Sequence, residues 1–198
     1  LCDWSSDVCS SDLATDIAKN NTGRDLPFLL NLTPSVVVNA DAGNGIGYTG
    51  IRIRGTDATR INVTINNIPY NDAESQGTFF VDVPDLASSA SSIQIQRGVG
   101  TSTNGTGSFG GSINISTNDI QTKRKWELSQ SIGSYRSLKS SLLWNSGLIN
   151  NHFTIDGRLS RISSDGYIDR AFSKLHSGYL STAWLSKKYS LQIGRAHV

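Results

Sequence analysis

Apolar and polar side chains alternate through the last third of this chain, and that pattern limits its fold more than any other feature. Four segments between residues 124 and 193 carry it, with large apolar residues in one set of positions and Ser, Thr or charged residues in the other. Alternation with a period of two is typical of β-strands that present one face to an apolar environment. Each segment is about ten residues long, the length that a tilted membrane strand requires.

Two kinds of protein fit these strands equally well. In a transmembrane barrel the apolar row faces lipid, whereas a soluble β-sandwich buries the same row against protein. The members of this row are Trp126, Leu142, Trp144, Phe153, Ile155 and Trp184. Connections are predicted to be tight at residues 133–134 and 147–151 and longer at residues 163–173. Short turns on one side of a sheet and longer loops on the other would favour the barrel.

Residues 14–118 differ, because their short apolar runs are separated by turns and two helical signals. Asp25 and Pro27 predict a capped helix over residues 26–31, and a second short helix is predicted over residues 83–89. Five strands are predicted, at residues 35–38, 48–54, 60–66, 93–99 and 113–115. The second and third of these are predicted to form a hairpin. The predicted fold class is a small α+β domain with a mixed sheet, followed by antiparallel strands.

Composition and motif content exclude several classes of function. The net charge of +2 is too small to indicate a nucleic-acid partner. No apolar run approaches the length of about 18 residues that a transmembrane helix needs. The three histidines share no metal-ligand spacing, and no GxSxG nucleophile motif occurs. We therefore expect no enzyme, no metal site and no cofactor.

Three groups of residues have alternative interpretations. The sequence GTGSFG at residues 105–110 matches the dinucleotide-binding GxGxxG, but a strand pattern follows it where a helix should begin. Its glycines are expected to allow close approach of backbones. Arg54 and Arg97 each precede a glycine at a strand end, where the guanidinium could pair with buried carboxylates or simply be solvated. Solvated turns and caps are the expected locations of Asp72, Glu74, Asp82 and Asp85.

Several motifs together resemble the plug domain of TonB-dependent outer-membrane receptors, particularly those of Bacteroidetes. They are IRIRG, NNIPYND, SIQIQRG and NGTGSFGGSINI, and the resemblance extends over residues 14–118. The last motif corresponds to the family's glycine-rich signature, with Asn104 where an aromatic residue is common. Residues 119–192 then resemble the first strands of an incomplete transmembrane β-barrel, and residues 164–171 resemble an early extracellular loop.

The resemblance implies a receptor for energy-coupled uptake in the outer membrane of a Gram-negative bacterium. The plug is expected inside the lumen of a barrel of about 22 strands. The implied partners are TonB, through a TonB box missing from this chain, outer-membrane lipid, and a small ligand such as an iron chelate, haem, a corrinoid or an oligosaccharide. A soluble β-rich binding or adhesion module is the alternative.

The resemblance also implies site residues. Arg54 and Arg97 are expected to pair with barrel carboxylates. The plug glycine motif comprises Gly105, Gly107, Gly110 and Gly111. The apical loops on the ligand side are expected to include Tyr70, Asp72, Glu74, Ser75, Gln76 and Thr101.

The two ends of the chain have no evident relation to the sequence beside them. LCDWSSDVCSSDL at residues 1–13 and IGRAHV at residues 193–198 are predicted to be non-native tails. The first contains both cysteines, Cys2 and Cys9, so the remainder of the chain is free of cysteine and does not indicate a redox compartment.

Overall fold

The computed structural model describes residues 9–99, 109–117, 122–186 and 189–197. An N-terminal domain contains a five-stranded mixed sheet and a two-stranded sheet, and a five-stranded antiparallel sheet follows it. Among these residues, no helix has the length and apolar character needed to span a membrane. The predicted fold class, a small α+β domain followed by antiparallel strands, is confirmed.

The N-terminal domain combines short helices with short strands. Its helices are α1 (Ala14–Asn20), α2 (Leu26–Leu29) and 3-10 turns at Leu30–Leu32, Ala58–Arg60, Phe80–Asp82 and Leu86–Ser89. Its strands are β1 (Cys9–Leu13), β2 (Val36–Ala40), β3 (Thr49–Ile53), β4 (Ile61–Ile65), β5 (Ile68–Pro69), β6 (Ser92–Arg97) and β7 (Gly111–Ser116). The mixed sheet has the order β1-β6-β7-β4-β5, in which β4 and β7 are parallel, and β2 pairs with β3.

One apolar core joins the two sheets of this domain. Ile53 of β3, Ile61 of β4 and Ile113 of β7 are each exposed by 1% or less and belong to the same buried cluster. β4 is buried on both faces, so its polar Thr64 also lies inside the domain. The hydroxyl of Thr64 donates to Asn114 Oδ1 at 2.8 Å, which supplies the partner that a buried polar group requires.

The predicted hairpin between residues 48–54 and 60–66 is wrong. β3 pairs with β2, and β4 lies in the other sheet between β7 and β5. The chain changes sheets at Arg54 and Gly55, whose φ angles of 52° and 78° turn it away from β3. Alternation does not reveal this change, because strands on two sides of a shared core have the same apolar period as a hairpin.

Both helical predictions need correction. The segment at residues 26–31 is α-helical only as far as Leu29, and the side chain of Asp25 does not cap it. The predicted helix at residues 83–89 is interrupted because Asp85 has a φ of 58°. That left-handed conformation is incompatible with a right-handed helix, so only 3-10 turns form on either side of it.

The C-terminal sheet comprises β8 (Lys125–Gly133), β9 (Ser137–Asn145), β10 (Phe153–Ser164), β11 (Ser173–Leu185) and β12 (Ser190–His197). Each strand is antiparallel to the next, in the order β12-β11-β10-β9-β8. The four predicted strands are present, whereas β12 was not predicted as a strand.

Successive connections of this sheet lie at opposite ends, because its strands run up and down. We call the end with connections 134–136 and 165–172 the loop end, and the end with connections 146–152 and 186–189 the turn end. The tight connection 134–136 therefore shares its end with the longer connection 165–172, and Asp165 N donates to Tyr135 O at 2.9 Å. The predicted separation of short turns from long loops is wrong.

The two predicted tails contribute strands in part. β1 pairs with β6, so that Leu13 lies opposite Ser92, and β12 pairs with β11, so that Ile193 lies opposite Thr182. Residues 1–8 and 198 lie outside the described part of the chain. The assignment of both tails to non-native sequence stays a prediction.

Candidate functional site at the domain interface

The two faces of the C-terminal sheet have opposite character. The strand register places Trp126 opposite Trp144, and Phe153 opposite Trp184, on the face that points away from the N-terminal domain. The same face carries Leu142 and Ile155, so the whole predicted apolar row lies together. Trp126 is 72% exposed and Trp184 is 47% exposed. The soluble sandwich would have buried this row against protein, and no described residue covers it.

The buried part of the inner face is mainly polar, with Ile162 and Ala183 as its apolar members. Its buried polar side chains are mostly hydroxyls and amides, with two cations among them, and each is exposed by less than a tenth. They are Lys139, Ser141, Asn145, Thr154, Arg158, Ser160, Ser164, Ser177 and Ser181. A polar inner face with an apolar outer face is the arrangement of a membrane-spanning sheet.

Asp85 of the N-terminal domain forms ion pairs with both buried cations of the inner face. Lys139 Nζ lies 2.5 Å from Asp85 Oδ1, and Arg158 Nη1 lies 3.1 Å from Oδ2. The hydroxyl of Ser160 donates to the same carboxylate, and Arg158 also donates to the Asp85 carbonyl. All three charged side chains are nearly inaccessible to solvent. We call Asp85, Lys139 and Arg158 the ion network.

Neutral residues of the N-terminal domain complete the surroundings of Lys139. Its ammonium donates to Asn21 Oδ1 at 3.1 Å and to Ser88 Oγ at 3.0 Å. Gly23 leaves room for the lysine stem, because a Cβ there would lie 3.0 Å from the Cβ and Cδ of Lys139. Three partners therefore satisfy the three donors of the ammonium group.

The position of Asp85 depends on its local backbone. Asp85 has a left-handed conformation between two 3-10 turns. Ser88 Oγ donates to Asp85 Oδ1 at 2.5 Å. Burial raises the pKa of the Asp85 carboxyl, but the charges of Lys139 and then Arg158 outweigh burial, so the net pKa lies below its ordinary value. The carboxylate is therefore ionised at neutral pH.

Beside the ion network, a cavity of about 350 Å³ lies between the N-terminal domain and the inner face of the sheet. Asn21 and Ser89 line it from the N-terminal domain, and Glu127, Arg158 and Tyr179 line it from the sheet. Within the described ranges, no three His, Cys, Asp or Glu side chains are arranged to hold a metal ion. The interface thus combines a buried ion network with an open cavity, and it is not packed throughout like an apolar core.

Sequence reasoning missed the ion network. Asp85 was expected in a solvated turn, and that expectation is wrong, because its side chain is buried against the sheet. Lys139 and Arg158 flank the cross-strand pair Ser141 and Ser160 on the polar face of adjacent strands. Two cations beside small hydroxyl residues on that face were the available signal, but their partner lies more than 50 residues earlier in the chain.

Arg54 and Arg97 lie close together in the N-terminal domain. The Arg54 guanidinium is packed against Gly98, where a Cβ would be 2.5 Å from Arg54 Nη1. Arg97 Nη1 donates to Pro34 O at 3.3 Å. The structure therefore brings together the two strand ends that the sequence singled out. Pairing of either arginine with barrel carboxylates stays a prediction.

The glycine motif is described in part, since Gly105 and Gly107 lie outside the described residues. Gly110 bridges two segments, because its amide donates to Arg60 O at 2.9 Å and its carbonyl accepts from Gly98 N at 2.8 Å. A Cβ on Gly110 would overlap the Thr56 hydroxyl, and one on Gly111 would lie 2.5 Å from Gln96 O. These two glycines permit the close approach of backbones that the sequence predicted.

The predicted apical loop forms a tight exposed turn. Asp72 Oδ2 accepts from the amide and hydroxyl of Ser75 at 2.7 and 2.8 Å, and Asp72 N donates to Gly77 O at 2.8 Å. Tyr70 is half-buried, and its hydroxyl donates to Phe79 O at 3.2 Å. The exposed side chains of the turn include Asp72, Glu74, Ser75 and Gln76. Thr101 lies outside the described residues.

Asp25 is a second buried carboxyl. Its Oδ2 accepts from the Thr49 hydroxyl at 2.9 Å, while Oδ1 has no hydrogen-bond partner among the described residues. Burial raises the pKa of Asp25 from 3.8 to about 7, and hydrogen bonds from Thr49 and Gly47 limit the rise. Asp25 therefore links α2 to β3 through its hydrogen bond with Thr49. Its carboxyl is largely protonated below neutral pH.

Asp25 is expected to make the chain less stable as pH rises. The folded state retains a proton on Asp25 up to about pH 7, whereas the unfolded state loses it near pH 3.8. The free energy of unfolding should fall between these values by at most about 1.4 kcal/mol per pH unit, and Asp25→Asn should remove this slope. Denaturant unfolding across this pH range measures it. The exposed Asp41→Asn is the control, and an unchanged slope in Asp25→Asn would contradict the expectation.

Comparison with known proteins identifies the family of the N-terminal domain. The sequence profile of the family described as TonB-dependent Receptor Plug Domain matches residues 11–112, which is more than half of the 198 residues. No curated protein sequence matches the chain.

Solved structures of similar fold extend the likeness into the C-terminal sheet. The siderophore receptor PirA from Acinetobacter baumannii is 18% identical, with a TM-score of 0.69 over 96% of this chain and 31% of that one. The ferric yersiniabactin uptake receptor FyuA from Yersinia pestis is 13% identical, with a TM-score of 0.71 over 95% and 30%. The copper transporter OprC is 14% identical, with a TM-score of 0.72 over 100% and 33%.

The chain spans about a third of the length of each of these structures. Within that third, its N-terminal domain corresponds to a plug and its C-terminal sheet to wall strands of a barrel. From the matched profile and the shared fold, the chain belongs to the TonB-dependent receptor plug domain family, whose members are receptors of the bacterial outer membrane.

Proposed function

We propose that the chain acts within an outer-membrane transporter as the plug that gates energy-coupled uptake of a scarce ligand such as an iron chelate. The C-terminal sheet, β8–β12, would be part of the surrounding wall. The family consists of receptors and transporters, not enzymes. Structures of similar fold include receptors for siderophores and a copper transporter, which supports a metal-related ligand.

The observation that carries this proposal is the polar contact between plug and wall. Hydroxyls, amides and the ion network hold the plug against the inner face of the sheet. An apolar contact in the same place would instead resemble the core of a permanently folded unit. Separating apolar surfaces in water is unfavourable in proportion to their area. Polar and charged groups can exchange their protein partners for water, so a plug held in this way is able to move.

TonB is the proposed energy-coupling partner. It would act through a TonB box N-terminal to the plug, and the contact would add a strand to an exposed edge. On the opposite side, the exposed turn with Tyr70, Asp72, Glu74, Ser75 and Gln76 is the proposed ligand surface, together with Thr101. Arg54 and Arg97 are proposed to pair with carboxylates of further wall strands, which the guanidinium geometry favours.

Uptake by cells tests the proposal. The full-length protein that contains these residues would be expressed in a Gram-negative host without its own ferric-chelate receptors. Ferric citrate, a ferric catecholate and a ferric hydroxamate, each with radioactive iron, would be supplied separately. We expect one chelate to accumulate well above the level of receptor-free cells.

A matched strain without TonB is the control. Accumulation should fall to the receptor-free level there, because the plug would remain in place. Equal accumulation with and without TonB would contradict energy-coupled gating. If none of the three chelates accumulates, the ligand is not an iron chelate of these classes.

A further inference from the structure

A groove of about 290 Å³ lies on the outer face of the wall at its turn end. Its lining is mainly aromatic and aliphatic, with one cation at the margin. The lining residues are Arg124, Trp126, Trp144, Asn145, Ser146, Ile149 and Ile155. The ring of Trp144 lies over Gly157 of β10, because a Cβ at that residue would overlap the ring.

The groove lies at the turn end of the apolar face. Trp126, Trp144, Phe153 and Trp184 are each within two residues of the turn end of their strands. Tryptophan is enriched at the level of lipid headgroups, because its ring is amphipathic. The groove is thus level with the headgroups if the wall spans the membrane as proposed above.

The charge at this end is positive. Lys123, Arg124 and Lys125 are consecutive and exposed, and Lys125 pairs with Glu127 at 2.7 Å. Within the described part of the chain Arg124 has no ion pair. A guanidinium beside an apolar groove matches a molecule with a phosphate at one end and a hydrocarbon chain at the other, because arginine binds phosphate in a bidentate manner.

We propose that this groove binds one anionic phospholipid, with its phosphate on Arg124 and its first acyl segment against Trp126, Ile149 and Ile155. The inference rests on the proposed function, since it requires the outer face to lie in a bilayer. It adds a defined headgroup site to the general contact with lipid. The negative headgroup complements the local excess of positive charge, which a zwitterionic lipid would not.

Fluorescence quenching by brominated lipids tests this site. The full chain carrying Trp4→Phe and Trp184→Phe keeps Trp126 and Trp144 as its fluorophores. It would be reconstituted in vesicles with equal amounts of phosphatidylcholine and phosphatidylglycerol, with bromine on the acyl chains of one lipid or the other. We expect quenching to be at least twofold stronger when phosphatidylglycerol carries the bromine.

Arg124→Gln should reduce this ratio to one, whereas Arg124→Lys should retain a preference. Lys174→Gln is the matched control, because Lys174 is exposed on the same face at the loop end. An equal response to the two lipids, or a preference that survives Arg124→Gln, would overturn the headgroup site while leaving the wall in lipid. Absence of quenching by either lipid, with β-sheet circular dichroism intact, would overturn the membrane placement itself.

Discussion

Replacing Asp85 with asparagine is expected to lower the free energy of unfolding by about 3–5 kcal/mol. The substitution leaves Lys139 and Arg158 buried beside a neutral amide, and uncompensated buried charge is among the costliest defects in a protein. Asparagine is the suitable replacement because it tolerates the left-handed φ of 58° at this position. Denaturant unfolding of the chain at neutral pH measures the loss.

Two comparisons separate charge from other effects of this substitution. Asp72→Asn changes an exposed carboxyl in the same domain and should cost less than about 1 kcal/mol. The folded-state pKa of Asp85 is depressed, so its contribution is complete above the ordinary pKa and disappears as pH falls further. The difference between wild type and Asp85→Asn should therefore shrink in acid. A loss below about 1 kcal/mol at neutral pH would mean that water already compensates the two cations.

The sequence predicted the faces of the wall because a period of two is a local property. Once Trp126, Trp144 and Phe153 are assigned to strands, antiparallel pairing places them on one side. The strand register then joins rows from successive strands into a continuous surface. This is why the whole apolar row was predicted correctly without knowledge of any contact between domains.

The ion network could not be predicted from local periodicity, because it depends on contacts between residues that are distant in sequence. Asp85 follows a proline in a stretch rich in turns, where carboxylates normally act as caps. Nothing local distinguishes it from Asp82, which is exposed. The difference arises only when the plug docks on β9 and β10, which removes Asp85 from water and gives it two cations.

The error in strand pairing has a similar origin. Residues 48–54 and 60–66 have equal apolar periods and a short polar connection, which together favour a hairpin. The left-handed pair Arg54 and Gly55 instead sends the chain into the second sheet. Glycine at residue 55 is compatible both with a hairpin and with a change from one sheet to the other. The choice was determined by β7, which pairs in parallel with β4 after an excursion of about 50 residues.

Gly111→Ala is expected to cost about 3 kcal/mol of stability. The new Cβ would lie 2.5 Å from the Gln96 carbonyl oxygen and 3.3 Å from Ile53 Cδ1. Because the closest obstacle is backbone, no change of rotamer relieves the contact, and β6 must move away from β7. The same residue is paired with Ile61 of β4, so the displacement affects both neighbours of β7. Thermal unfolding of the variant measures the loss.

Gly77→Ala is the matched control in the same domain. Its φ is not positive, and its Cβ would lie 3.5 Å from Ser75 Oγ, an ordinary contact, so its effect should stay within about 0.5 kcal/mol of zero. If Gly111→Ala is as harmless as this control, the sheet can widen and the glycine is not needed for packing. If the loss is large, close packing of β6 and β7 suffices to explain Gly111, with no ligand contact required.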